Sequence, residues 1–290
     1  MTTRLFSRGW LGAVLAVTVT CTAVWSTRAT SAQIQTIDFP GAVFTEATGI
    51  TPGGAILGAY DNGDGILRGF VRAEGLFTSF QMPTMDSIEP DAINPVGEIV
   101  GAAVDTSGDI HGFLFNAAGF SSIDVPGAIL TESLGINPRG DIVGIFRDSA
   151  RIGHGFLLRT GSFTTIDVPG ARFTAAAGIN ASGDVVGNFR DQSGVLHGFL
   201  LRDAQFTTIT VPGSIRTATS AINPRGDVVG QYIDAAGGDH GFLFTSGQFI
   251  TIDVPGALLT ETYGINPRGD VVGIYTDADG NLHGFVRLAD

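Results

Sequence analysis

Lysine is absent from the 290-residue chain, and cysteine occurs once, as Cys21. The 16 basic residues face 28 acidic ones, which leaves a net charge of −12. So small a supply of cations argues against nucleic acid and anionic lipid as partners, because their phosphates call for a basic patch. A lone thiol permits no internal disulfide and no cysteine metal site, so the fold must rest on its apolar core. Helical signals are scarce as well: beyond the N-terminal segment no stretch keeps apolar residues at i, i+3 and i+4 over three turns. What is present is a 43% hydrophobic composition with 20 Phe. That supplies a sizeable core and excludes a disordered chain.

The first 32 residues stand apart. Arg4 and Arg8 lead into an uncharged apolar run from Gly9 to Trp25, followed by the small residues Ala29, Thr30, Ser31 and Ala32. This is the layout of a secretory signal cleaved near Ala32. The run is short, and with Thr18, Thr20 and Thr22 it is too polar to suit ~30 Å of hydrocarbon. Cys21 is a poor lipoprotein site, since no large apolar residue stands three positions upstream. Residues 1–32 therefore read as a signal peptide and 33–290 as one mature repeat domain, expected to be secreted, extracellular or periplasmic, monomeric and free of the membrane. Loss of Arg4, Arg8 and Arg28 reduces 16 basic residues to 13 against 28 acids, a mature net charge of −15.

From Gln35 onward the chain repeats every 43 residues: 35–77, 78–120, 121–163, 164–206, 207–249 and 250–290. Six positions hold the same residue in all six copies, namely Pro40, Ile50, Gly54, Gly58, Gly69 and Phe70 with their equivalents up to Phe285. In the fourth copy the segments Phe163 to Val168, Thr174 to Ile179, Asp184 to Phe189 and His197 to Arg202 are rich in β-formers. They are split by Pro-Gly, Asn-x-x-Gly-Asp and Asp-x-x-Gly turns. Four strands per unit of this length match one blade of a propeller. The expected fold is all-β, a six-bladed β-propeller. With the strand ending at Ile179 innermost, the mature chain starts on an outer strand, Gln35 to Phe39, and ends on a third strand, His283 to Arg287. Pairing of the two closes the ring and leaves no open edge. Two β-trefoils or a β-solenoid are the alternatives, though a solenoid calls for atypical capping units that neither end supplies.

The stretch GINPRGDVVGIYTDADGNLHGFV and its five relatives resemble the HAF family of extracellular repeats, named for a His-Ala-Phe triplet after an Ile-Asn-x-x-Gly-x-Val-Val-Gly core. The likeness covers nearly all of the mature chain. It departs at the triplet, which reads His-Gly-Phe in five copies and Arg68-Gly69-Phe70 in the first, and in the segment TIDVPGA. The resemblance implies an exported bacterial protein and no particular activity.

Each of the five histidines follows an aspartate by six residues: Asp105/His111, Asp148/His154, Asp191/His197, Asp234/His240 and Asp277/His283. Copy one has Asn62/Arg68 instead. Asp-oriented imidazoles serve metals and acid-base chemistry, but five equal copies fit a structural clip across a tight turn better than a single asymmetric catalytic cluster. Asp277 to Asn281 and Asp61 to Gly65 open like calcium loops yet lack the distal Glu of an EF-hand. Asp-Gly is also a common hairpin turn. Calcium is thus the one metal the turns admit, and no cofactor is implied.

Arg-Gly-Asp occurs at Arg139, Arg225 and Arg268, where the turn Asn-Pro-x-Gly-Asp explains it without adhesion. Asn180-Ala-Ser182 fits the N-glycosylation pattern by chance. No Ser/His/acid triad is unique to one copy, and the internal symmetry is broken mildly, in copies one and two. The expectation is a non-enzymatic binding or scaffold module for an extracellular glycan or protein. A metal-dependent hydrolase or lyase acting on glycans or lactones is the rival, and a passive cell-surface or matrix component the third reading. A channel lined by carboxylates from several copies would favour the rival.

Overall fold

In the fourth copy β-branched and aromatic residues alternate with small ones between Gly turns, and each run becomes a strand: Phe173–Ile179, Val185–Arg190, Leu196–Arg202 and Gln205–Ile209. A computed structural model describes residues 33–82 and 84–289, and the signal-like segment 1–32 lies outside the described residues. Every regular element in the described residues is a strand. The strands form six four-stranded antiparallel sheets, arranged as the blades of a six-bladed β-propeller. Blades one to five span residues 44–80, 85–123, 130–166, 173–209 and 216–252.

The sixth blade has three strands from residues 259–287 and a fourth from the other end of the chain, Ile34–Ile37. Ile34 pairs with Arg287, Thr36 with Phe285 and Ile37 with Gly284. The ring closes through the expected segments, over a slightly shorter stretch than Gln35 to Phe39.

Six Phe side chains fill the equivalent place in every blade. Phe70, Phe113, Phe156, Phe199, Phe242 and Phe285 are each at most 1% exposed. The glycine across the ladder makes room for the ring. A Cβ on Gly187 would lie 2.1 Å from the Ala175 carbonyl oxygen and 2.7 Å from the Phe199 ring. Below each inner strand the Asn-x-x-Gly turn needs a left-handed residue, met in the third blade by Gly140 at φ +78°.

One irregularity recurs in every blade. The register between inner and second strands slips at Ala47/Gly49, Pro90/Ala92, Ser133/Gly135, Ala176/Gly178, Thr219/Ala221 and Thr262/Gly264. Such a bulge inserts one extra residue and re-aims its side chain. The extra residues are Thr48, Asp91, Leu134, Ala177, Ser220 and Tyr263, and all six line the central channel.

Candidate functional site

Each Asp of the sequence-predicted pairs ends a second strand or directly follows it, and caps the turn. Asp105 Oδ1 accepts hydrogen bonds from the backbone N–H groups of Ser107 and Asp109 at 2.8 and 3.0 Å. Asp148, Asp191, Asp234 and Asp277 repeat the arrangement. The other oxygen faces the imidazole: His Nε2 to Asp Oδ2 is 3.5 Å for His111, His154 and His240, 3.3 Å for His197 and 3.2 Å for His283. In copy one, Arg68 pairs with Asp64 at 2.6 Å rather than with Asn62.

The shorter contact of each imidazole escaped the sequence reading. Nδ1 reaches the outer strand of the same blade, to Asp124 at 2.9 Å, Asp167 at 2.9 Å, Asp253 at 3.0 Å and Asp38 at 2.9 Å, with Thr210 at 3.2 Å in the fourth blade. Each partner lies 13 residues from its histidine, or across the closure, so only strand register brings them together. For His111 the hydrogen bond to Asp124 dominates and raises the imidazole above its usual value. Burial works against the charge on His154, His240 and His283, but their two acidic partners outweigh it and these also rise. Spread around the rim, the five imidazoles do not converge. Among the described residues no group of three or more His, Cys, Asp or Glu is placed to hold one metal ion.

The opposite face is built from the Asn-x-x-Gly-Asp turns. Each Asn side chain donates to the backbone carbonyl at the same position of the next blade: Asn94 to Asn137, Asn137 to Asn180, Asn180 to Asn223 and Asn223 to Asn266, at 3.3–3.5 Å, then Asn266 to Thr51 at 3.4 Å. Thr51 has no amide to carry the relay on to the second blade. The Arg-Gly-Asp tripeptides fold onto themselves, with Arg225 at 2.9 Å from Asp227 and Arg268 at 2.8 Å from Asp270. The carboxylates of Asp141, Asp227 and Asp270 are buried, so none is presented to a receptor. Asn180 is 3% exposed and occupied by Asp184, which leaves no amide for a glycan.

At the central channel all six copies differ, and the expectation of mild asymmetry in copies one and two is too narrow. Its bulge position carries six different residues in six blades. Two residues earlier stand Glu46, Glu89, Glu132 and Glu261, whereas the fourth and fifth blades have Ala175 and Ala218. Four consecutive blades thus present carboxyls. The remaining two present Asn188, Gln231, Thr219 and Ser220 instead. Glu46 and Glu89, with Asn188, Thr219, Gln231 and the six bulge residues, line a cavity of about 250 Å³, whereas Glu132 and Glu261 stand outside that lining. Because the inner strands run from Phe44 beside Asp61 to Ile50 beside Ile56, Glu46 stands toward the histidine face. Below the bulges, small residues such as Gly135 and Gly178 pack against neighbouring backbone, and the space narrows to about 100 Å³.

Burial sets the electrostatics there. Glu46 is 8% exposed, and its Oε1 has no hydrogen-bond partner. Loss of water pushes its carboxyl up to about 8, with Glu89 and Glu261 adding repulsion. Asp91 rises for the same first reason, reinforced by Glu89, Glu46 and Glu132. Glu132 is raised by burial and Glu89, partly offset by Arg147. Glu89, the most open of the four at the rim, is raised by the protein that displaces water around it. Tyr263 donates its hydroxyl to Glu261 and is held protonated by burial and that neighbouring charge. At the edge of the crescent Asp239 is pushed up to about 6 by burial and Glu261, against the pull of Arg216, and its Oδ1 is also unpartnered.

No family model matches the chain, and no curated protein matches it in sequence. Solved structures similar to it are propellers of diverse kinds. TolB from Acinetobacter baumannii shares 14% identity at a TM-score of 0.54, over 85% of this chain, which spans only 54% of that one. A mutant Aleuria aurantia lectin in complex with α-methyl-L-fucoside shares 11% at a TM-score of 0.54, over 87% of this chain and 93% of that one. The β-propeller domain of the Trilobed protease from Pyrococcus furiosus shares 10% at 0.52, over 85% and 96%. At such identities the likeness is one of fold alone.

Proposed function

We propose that the chain is an exported binding module, periplasmic or released, that takes its ligand at the mouth of the central channel and carries out no reaction on it. The observation that supports this most is the contrast within one molecule. Six copies keep the same Pro, Ile, Phe and Gly scaffold, while the bulge residues and the glutamates beside them diverge around a shared cavity. A rigid repeated scaffold whose side chains differ where they converge on one cavity is the pattern of a recognition surface. The ligand is a small group of an extracellular glycan or protein able to enter about 250 Å³. The similar lectin fold with a bound fucoside makes glycans the first class to test.

A second reading has an observation of its own. Carboxyls from several blades, one of them held protonated near neutral pH, form the kind of pair from which a glycan hydrolase or lyase is built. A metal-dependent version is less well supported, since the carboxyls spread over four blades rather than gather on one ion. A glycan array on the mature protein, with elemental analysis of the same sample, separates the readings. Saturable binding without turnover, abolished by Ala177→Tyr in the channel, is the expected result. Product release from a bound glycan would replace it with the enzyme, and self-assembly with no ligand would indicate a passive matrix component.

A further inference from the structure

The acidic crescent does not by itself define a ligand, but one of its members does more. Glu46 lines the cavity, is buried, and leaves Oε1 without a partner. A buried polar atom left unsatisfied costs roughly 1–3 kcal/mol, so a donor at that point recovers a real penalty. The shape of the surrounding charge says what kind of donor. The acids that line the cavity are Glu46, Glu89 and Asp91, from two adjacent blades, and among the described residues no such group is placed to hold one metal ion. They therefore suit an organic cation with several N–H donors, which can reach more than one carboxyl. The facing wall offers the neutral Asn188 and Gln231, which can orient a polar ligand without repelling a positive one. No arginine lines the cavity to compete from within.

We propose that the channel mouth binds an alkylammonium group with several N–H donors, carried by a small diamine or by an amino sugar, with Glu46 as its buried anchor. This rests on the channel-mouth binding module proposed above and names what that site takes. Binding ionises the Glu46 carboxyl and sends its proton to solvent, while a diamine arrives already protonated and the less basic amine of an amino sugar does so toward the lower end of the pH range. Besides Glu46, the titratable groups lining the cavity are Glu89 and Asp91 on one neighbouring inner strand and Tyr263 on the other, with Glu261 accepting the Tyr263 hydroxyl and adding repulsion to Glu46. Tyr263 keeps its proton and burial raises Asp91 and Glu89 as well, while Glu46, buried with Oε1 unpartnered and its carboxyl pushed up to about 8, is the group whose release is followed near neutrality.

The test is calorimetric titration of the mature protein with 1,4-diaminobutane and, separately, with a glucosamine oligomer and its N-acetylated form. One site per chain is expected. For the diamine, affinity should strengthen on the order of tenfold to a hundredfold from pH 6 to pH 8.5, with proton release seen as a buffer-dependent heat. Glu46→Gln should weaken binding at pH 8.5 by roughly tenfold or more while circular dichroism stays native-like and the melting midpoint is no lower than wild type. Preference for the diamine over the oligomer, or the reverse, identifies the source of the amine. No heat with either amine overturns the proposal, as does equal binding to Glu46→Gln, which would mark diffuse attraction to an acidic surface. If the amines fail while a neutral glycan binds and is blocked by Ala177→Tyr, the channel remains the site and only the ligand class falls. Amine binding that survives Ala177→Tyr removes the channel itself.

Discussion

At the level of single residues the buried carboxyls and the rim histidines act on stability in the same direction. Glu46 titrates near 4.5 when unfolded and about 8 when folded. Between those values the folded protein keeps a proton that the unfolded chain has released, so stability falls as pH rises through the window. The imidazoles of His111, His154, His240 and His283 are also raised when folded. Their contribution is complete below the usual 6.5 and disappears as pH climbs through the folded values. The melting midpoint should therefore fall from pH 5 to pH 8.5 in a calorimetric series. Glu46→Gln should flatten that slope and leave the protein more stable than wild type at pH 8.5. A flat wild-type profile, or a variant with an unchanged slope, would contradict this account.

At the level of the strand, the inner β-bulge divides positions that the scaffold needs from positions that are free to vary. Gly187 lies against the Ala175 carbonyl and the Phe199 ring, so Gly187→Ala should cost at least the ~1–3 kcal/mol typical of overpacking. One strand inward the bulge residue Ala177 meets open channel, and Tyr263 already occupies that repeat position. Ala177→Tyr should stay within about ±0.5 kcal/mol of wild type, as a change into open space does. Denaturant melts of the two variants test both. The same division explains what the sequence reveals. Period, strand number, ring closure and the Phe core were legible because the six copies repeat the packing that requires them. The channel was not, because a bulge interrupts the alternation by which a strand is read, and because the fourth copy, the clearest template, has Ala175 where other blades have Glu. Aligning the copies on Glu46 and on the residue two further on carries the missing signal: acids and six unlike side chains inside an otherwise apolar strand. The second partners of the histidines were hidden for a different reason. Asp124 is visible in sequence, but only the register of the third and outer strands sets it beside His111.

At the level of the whole molecule, closure is what equalises the blades. Phe199 sits in the middle of the chain and Phe285 beside the seam, and both are completely enclosed. Truncating either to Ala should cost ~3–5 kcal/mol, a large part of the ~5–15 kcal/mol that usually separates folded from unfolded states. In an open array the terminal change would be milder, because an end unit has one neighbour. Comparable melting midpoints for Phe199→Ala and Phe285→Ala are expected, and a distinctly gentler loss at Phe285 would argue against the ring. The seam also imposes an order in time. Ile34–Ile37 leaves the ribosome before any blade, yet its partner strand, Leu282–Arg287, follows all five complete blades. The opening segment must wait, unclaimed, through the synthesis of everything between. Until Arg287 emerges, a growing chain can finish five blades and still hold an unfinished sixth. Closure of the ring is thus deferred until the sixth blade's third strand exists, and any truncation before that strand leaves the first one with nothing to join.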